Sequence, residues 1–194
     1  VPGSDTVWSV EGDPTLTPSS PVTLTFTNDK GLTFKRTISV DNEYMFTVSD
    51  TVQNSGTAPV SLFNYGRVTR FDKPAVASTY VLHEGLIGVT GSEGLQQFKY
   101  AAIEKDKEVK PGKSTDGWLG ITDKYWAVTL VPTTKQPFQP KFSFFEFKDG
   151  PHSHSYQADF LTDAINIAPG QSATTESSVF AGAKVVSTIN GYEQ

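Results

Sequence analysis

The sequence predicts an all-β fold, an antiparallel β-sandwich with one short helix at its C-terminal end. Three observations carry that expectation. Successive segments in the first third alternate apolar and polar residues with the period of two that a half-buried strand requires. Thirteen Phe and seven Tyr stand against one Met, so the core draws on aromatic and β-branched side chains, which suit pleated surfaces. Sixteen Gly and twelve Pro supply the frequent turns that many short strands need.

Residues 1–21 are rich in Pro, Ser, Thr and Gly and read as loop, with one short strand around Val7, Trp8 and Val10. In the first alternating run Val22, Leu24 and Phe26 share one face, and Thr23, Thr25 and Thr27 the other. After the turn Asn28-Asp29-Lys30-Gly31, Leu32, Phe34, Ile38 and Val40 alternate with Thr33, Lys35, Thr37 and Ser39. A third run sets Tyr44, Phe46, Val48 and Val52 against Met45, Thr47, Ser49 and Thr51. The three make an antiparallel meander whose Phe26, Phe34, Ile38, Phe46 and Val48 are expected to face a shared core.

Asn54-Ser55-Gly56 ends that meander, and residues 60–65 form another apolar run. The pattern loosens over 71–94, and 105–113 reads as a charged hairpin or loop around Pro111-Gly112. Strand character returns at 118–121 and 125–131. Residues 141–147 carry Phe142, Phe144, Phe145 and Phe147 on both faces, as a strand buried on two sides would. Residues 164–167 and 172–180 flank Pro169-Gly170 as a final hairpin. Only the tail has helical spacing: Val185, Ile189 and Tyr192 fall at i, i+4 and i+7 with Val186 alongside, predicting a short helix over 183–192 docked on the sandwich.

At 194 residues, with no internal repeat and no linker-like composition, the chain is expected to form a single domain, 1–194. The net charge of -5 argues against a general nucleic-acid binder, which carries a basic surplus. The absence of Cys excludes disulfides and thiolate metal sites. No apolar run approaches the ~20 residues that a membrane helix needs.

No catalytic, metal or cofactor site emerges from the motifs. His152 and His154 stand two apart, as two ligands on one strand face would, but within the turn-like Asp149-Gly150-Pro151-His152-Ser153-His154-Ser155, without a third ligand nearby. His83 beside Glu84 reads as a structural histidine. The carboxylate pairs Glu104 with Asp106 and Asp159 with Asp163 would suit a glycosidase only if opposed across a cleft, and acids in polar segments are usually solvated. There is no Gly-x-Ser-x-Gly elbow and no phosphate-binding glycine loop. Trp8, Trp118 and Trp126 could stack on sugars, although Trp118 and Trp126 lie in apolar strand segments and read better as packing residues.

Four stretches together resemble a known family. They are Leu24 to Asn28 with Gly31 to Ile38, Asp41 to Tyr44 and Val52 to Gly56; then Gly117-Trp118-Leu119-Gly120 with Asp123-Lys124-Tyr125-Trp126-Ala127 and Val131-Pro132; then Ile165-Asn166-Ile167-Ala168-Pro169-Gly170; and Val179-Phe180-Ala181-Gly182-Ala183-Lys184 leading to Tyr192. Their order and spacing over residues 23–194 are similar to the large periplasmic domain of the YidC-type membrane-protein insertases of Gram-negative bacteria. Ala183 stands where that family usually has Pro, and Trp126 where it often has Phe.

The resemblance implies a periplasmic β-supersandwich of an inner-membrane protein, entered after the family's first strands and stopping before its membrane core. It also implies a non-enzymatic role without cofactors, with Sec translocon subunits and nascent membrane proteins as partners. The C-terminal helix would be the interface toward the membrane part, through Lys184, Val185, Val186, Ile189 and Tyr192. Two rivals remain: a carbohydrate-binding or mutarotase-like sandwich, which the shared fold permits, and an adhesin-like module, which predicts strong edge-strand pairing.

Overall fold

Strands β2 (Val22–Thr27), β3 (Leu32–Val40) and β4 (Met45–Asn54) form the meander that their alternation predicts. Phe26 stands opposite Phe34 and Phe34 opposite Val52, while Ile38 is flanked by Val22 and Val48. The turns have local causes. Asn28 Oδ1 accepts the backbone N–H groups of Lys30 and Leu32 at 3.0 Å each, and Asp41 Oδ1 accepts those of Glu43 and Met45 at 2.7 and 3.0 Å.

The structure is a computed structural model that describes residues 1–74, 83–132 and 135–184. Strand β1 (Ser9–Glu11) precedes the meander, and β5 (Val60–Leu62), β6 (Tyr65–Phe71), β7 (Gly85–Thr90) and β8 (Leu95–Lys99) follow it. Helix α1 (Tyr100–Asp106) leads to β9 (Glu108–Val109), β10 (Gly117–Thr122), β11 (Trp126–Pro132) and β12 (Phe138–Glu146). The chain continues through β13 (His154–Thr162), β14 (Ile165–Ile167) and β15 (Ser172–Ala183).

Two layers result. A nine-stranded antiparallel sheet runs β1-β2-β3-β4-β15-β11-β10-β7-β8, and a four-stranded one runs β6-β13-β12-β9. The twelve residues of β15 join the halves of the large sheet by pairing with β4 on one side and β11 on the other. The small sheet covers only the β10/β7 end. Leu86, Leu119, Ile121 and Leu130 of the large sheet pack there against Phe138, Phe142, Phe144, Tyr156, Ala158 and Phe160 of the small one. Tyr100 and Ile103 of α1 close that core, with the Tyr100 ring edge-on to Tyr156 at 4.5 Å.

The structure departs from the sequence expectations in several places. The meander is not the main core: Phe26, Ile38, Phe46 and Val48 are half-buried and only Phe34 of the five is buried, because no second sheet lies fully over them. Lys105 and Asp106, expected in a charged hairpin or loop over 105–113, instead end a helix over residues 100–106. In β12 the inward Phe142 and Phe144 are buried and so is the outward Ser143, whereas Phe145 is 44% exposed and Phe147 lies beyond the strand. His154 starts β13 instead of lying in the turn. The segments around Pro169-Gly170 do not form a hairpin with each other, because β14 pairs with β5 while β15 enters the large sheet. Ala183 ends that strand, so the helix cannot begin there, and Val185, Val186, Ile189 and Tyr192 lie outside the described residues.

The outer face of the small sheet buries a carboxylate. Asp159 is 3% exposed, accepts a bond from Gln157 Nε2 at 2.7 Å and lies 3.9 Å from Lys141 Nζ. Burial raises its carboxyl above the ordinary value, opposed by the Gln157 bond and by the charges of Lys141 and Arg67.

Two outcomes follow for stability. Phe142→Ala, in the roofed core, should cost about 3–5 kcal/mol in denaturant unfolding, and Phe46→Ala clearly less; equal losses would contradict the placement of the core. A carboxyl with a raised folded value takes up its proton more readily when folded, so its stabilising contribution is complete below the unfolded value and disappears as pH rises through the folded one. Asp159→Asn should therefore gain on the wild type near neutral pH, and that advantage should shrink on acidification through the carboxylate range. An advantage of the wild type at neutral pH that fades on acidification would reverse the sign.

Candidate functional site

The unroofed half of the large sheet is the floor of a cleft of about 650 Å3. Phe34 and Arg36 from β3, Asp50 and Val52 from β4, and Ala173 and Thr175 from β15 form that floor. Ile165 and Ile167 of β14, together with residues 61–65 at the β5/β6 junction, form the wall, and Trp8 lies on the opposite side.

The wall is a two-stranded sheet, β14-β5, that follows directly on the β6/β13 ladder of the small sheet. Leu161 pairs with Tyr65 in the β6/β13 ladder, and Ile165 with Leu62 in the β5/β14 ladder. Thr162 N–H donates to Asn64 O at 2.9 Å, so Phe63 stands opposite both Asp163 and Ala164. That extra residue interrupts the ladder, and β14-β5 forms a separate two-stranded sheet beyond it. Asn54, 1% exposed, fixes the ribbon in place. Its Nδ2 donates to Ala58 O at 2.9 Å and Ile167 O at 3.0 Å, its Oδ1 accepts from Gly56 N at 3.0 Å, and its backbone bonds Gln171 and Gly170.

The cleft is aromatic at its sides and internally neutralised at its base. Trp8 packs on Phe26, and Phe26 on Phe34, each at 6.2 Å between ring centroids. Phe63 and Tyr65 stay exposed at the rim. Arg36 and Asp50 form a two-pronged pair, Nε to Oδ1 at 2.7 Å and Nη2 to Oδ2 at 2.9 Å. The bond to Asp50 holds the guanidinium above its ordinary value, and Trp8 lies over it at 6.0 Å. Lys35 at the edge is tied to Glu11 at 2.9 Å. These charges are therefore engaged with each other, which suits holding an apolar or extended ligand better than moving protons on one.

A second groove of about 300 Å3 opens farther along β6, between Val68, Thr69 and Arg70 and the β10/β11 strands, with Trp126 at its side. Asp123, in the β10–β11 turn, organises it. Arg70 Nε reaches Asp123 Oδ2 at 2.8 Å, and Tyr100 OH donates to Oδ1 at 2.5 Å; burial and this bond raise the phenol well above its ordinary value. Lys184 Nζ donates to Asp123 O at 2.8 Å and to Thr122 Oγ1 at 3.1 Å, so the end of β15 is held to the same turn.

The sequence-derived candidates scatter. Asp72 accepts from the backbone N–H groups of Ser153 and His154 and lies 3.0 Å from His152 Nδ1, while His83 Nε2 meets Leu86 O at 2.8 Å. Among the described residues no group of three His, Asp or Glu side chains is arranged to hold a metal. Glu104 takes Tyr156 OH and Lys73, and Asp163 takes Lys113, so neither carboxylate pair spans the cleft. Trp126 is 63% exposed rather than packed, and Trp8 is the tryptophan that lines the cleft. Sequence reasoning did not single out Arg36, Asp50 or Phe63. Arg36 and Asp50 did carry a signal, since each interrupts an otherwise apolar strand face.

The family model for the YidC periplasmic domain matches residues 1–194. The "Membrane protein insertase YidC" of Mesorhizobium japonicum is 76% identical over 194 residues, and that of Brucella melitensis 59%. Each alignment covers 100% of this chain, but only 32% and 31% of the relatives, so the chain spans about a third of their length. A solved structure from Escherichia coli K12, described as a candidate aldose 1-epimerase, superposes with a TM-score of 0.58 at 12% identity, covering 91% of this chain and 68% of that one. At that identity the likeness speaks for the fold alone. With a family match over its whole length and relatives of this similarity, the chain belongs to the YidC periplasmic domain family.

Proposed function

We propose that this domain is a non-enzymatic part of a membrane-protein insertase, and that its cleft transiently holds apolar, extended segments of nascent inner-membrane proteins. The observation that carries this reading is the pairing of Arg36 with Asp50 at the base of an aromatic-sided cleft, which leaves a binding surface without a free acid or base at its floor. The family supplies the membrane-protein context, and by resemblance the Sec translocon subunits are the second class of partner. Residues 1–194 act as one domain in this reading. The segment through Lys184, Val185, Val186, Ile189 and Tyr192 sets its posture toward the membrane part, anchored at Lys184 by the Asp123 turn.

The likeness to a sugar-epimerase fold favours a second reading, in which the cleft takes a carbohydrate. A mutarotase-like reaction needs acid and base groups converging on the sugar, and His83, His152 and His154 all lie outside the cleft lining.

A photoreactive residue at Phe63 of the full-length insertase should form adducts with an inner-membrane protein during its insertion, and one at Lys110, away from the cleft, should not. Arg36→Ala with Asp50→Ala should weaken the Phe63 adducts several-fold. Equal labelling from both positions would refute the cleft as the holding site. Saturable quenching of tryptophan fluorescence by glucose or galactose would favour the carbohydrate reading.

A further inference from the structure

Among the described residues strand β6 is an edge of the small sheet, and two grooves open beside it. Asp72 N–H donates to His154 O at 3.0 Å, and Thr162 N–H to Asn64 O at 2.9 Å. Those bonds, with the register of β6 on β13, place the even-numbered backbone groups toward β13 and leave those of Tyr65, Arg67 and Thr69 pointing away from it. No strand pairs with that side among the described residues. The other sheet edges are poorer templates: β1 has three residues, β9 two, and β8 five, whereas β6 has seven.

Two further observations mark this edge as built to be covered. The two grooves flank β6, one at Asn64 and Tyr65 and the other at Val68 to Arg70. The face below is apolar, with Val128 and Trp126 of β11 in register with Ala181 and Ala183 of β15. Gly66 keeps the strand close to its own sheet, since a Cβ there would meet the Phe160 ring at 2.3 Å.

We propose that β6 accepts an extended polypeptide segment as a fifth strand of the small sheet, and that this is how a client segment is held. The incoming chain bonds to the outward N–H and C=O groups of Tyr65, Arg67 and Thr69 and turns alternate apolar side chains onto the large sheet. Backbone pairing explains how one site takes many sequences, because the bonds read the main chain and the groove asks only for apolar residues at every second position. The space favours a single bare strand over a second copy of this chain, whose own edge strand would bring a whole sheet against Trp126. This mode rests on the holding function proposed above.

The test compares two probes on the full-length insertase in lipid nanodiscs. One is a fluorescent peptide of alternating Val and Thr with lysines at its ends. The other has the same side chains but esters in place of its central amides, which removes the donors and keeps the shape. The amide peptide should bind, and the ester peptide at least about tenfold more weakly, since two or three edge bonds are lost. Thr69→Pro, which deletes an outward N–H and spares those bonded to β13, should weaken the amide peptide in a protein that melts as the wild type does. Because the comparison of probes uses unaltered protein, misfolding of that variant cannot decide the outcome. Equal binding of the two peptides would overturn strand addition and leave the cleft as the holding site. Failure of both to bind while Phe63 still cross-links clients would also overturn it, and loss of the Phe63 adducts would remove the holding function itself. A peptide-independent dimer, linked by disulfide through Arg67→Cys, would assign the edge to a second copy instead.

Discussion

Everything distinctive in this molecule depends on one mismatch: a four-stranded sheet must cover a nine-stranded one. Apolar burial is worth roughly 25 cal/mol per Å2, so the molecule gains most where the two layers face each other and least where the large sheet has no partner. The roofed end therefore gathers the phenylalanines of β12 and β13, and the open end keeps half-buried Phe26, Ile38, Phe46 and Val48. An uncovered apolar face invites aggregation. Here it is narrowed by the β5/β14 ribbon, by Trp8 and by the Arg36–Asp50 pair set among apolar neighbours.

Two polar nodes hold the roof over the floor at its two ends. At one, buried Asn54 has its amide and backbone groups bonded to the ribbon and to the start of β15. At the other, Asp123 gathers Arg70 of β6, Tyr100 of α1 and, through its carbonyl, Lys184 beyond β15. Both sit in turns that carry the family resemblance, the Asn54-Ser55-Gly56 turn and the Asp123-Lys124-Tyr125-Trp126 segment. Strand β6 runs between the two nodes, and among the described residues no strand pairs with its outer side. In the proposed strand addition the bound segment supplies the missing bonds between two fixed nodes, so the protein need not rearrange.

Local pattern made the meander legible, since β2, β3 and β4 are neighbours in sequence and each alternates apolar with polar side chains. The same reading missed what depends on distant pairing. Pro169-Gly170 does mark a turn, but Gly170 and Gln171 bond to Asn54, so β15 goes to β4 and β11 rather than back along β14. Strand β13 alternates Tyr156, Ala158 and Phe160 inward, yet its outward Ser155, Gln157 and Asp159 are buried too, and its entry through Gly150-Pro151 looks like loop. Helix α1 has seven residues and no side-chain cap, too little for periodicity to reveal; Tyr100 and Ile103 become helical by docking on the core. The cleft itself has no motif, because it arises from the difference in width between two sheets.

Native-state hydrogen exchange, resolved by residue, tests the half-roofed account most directly. Amides of β10, β12 and β13 should exchange only through global unfolding, whereas those of β2 and β3 should exchange through openings of distinctly lower free energy. Restricting the comparison to amides bonded within the β10/β11, β12/β13 and β2/β3 ladders makes it one of packing rather than of hydrogen bonding. A single exchange free energy shared by the two halves would mean that the open half is as well packed as the roofed one, and would contradict the account.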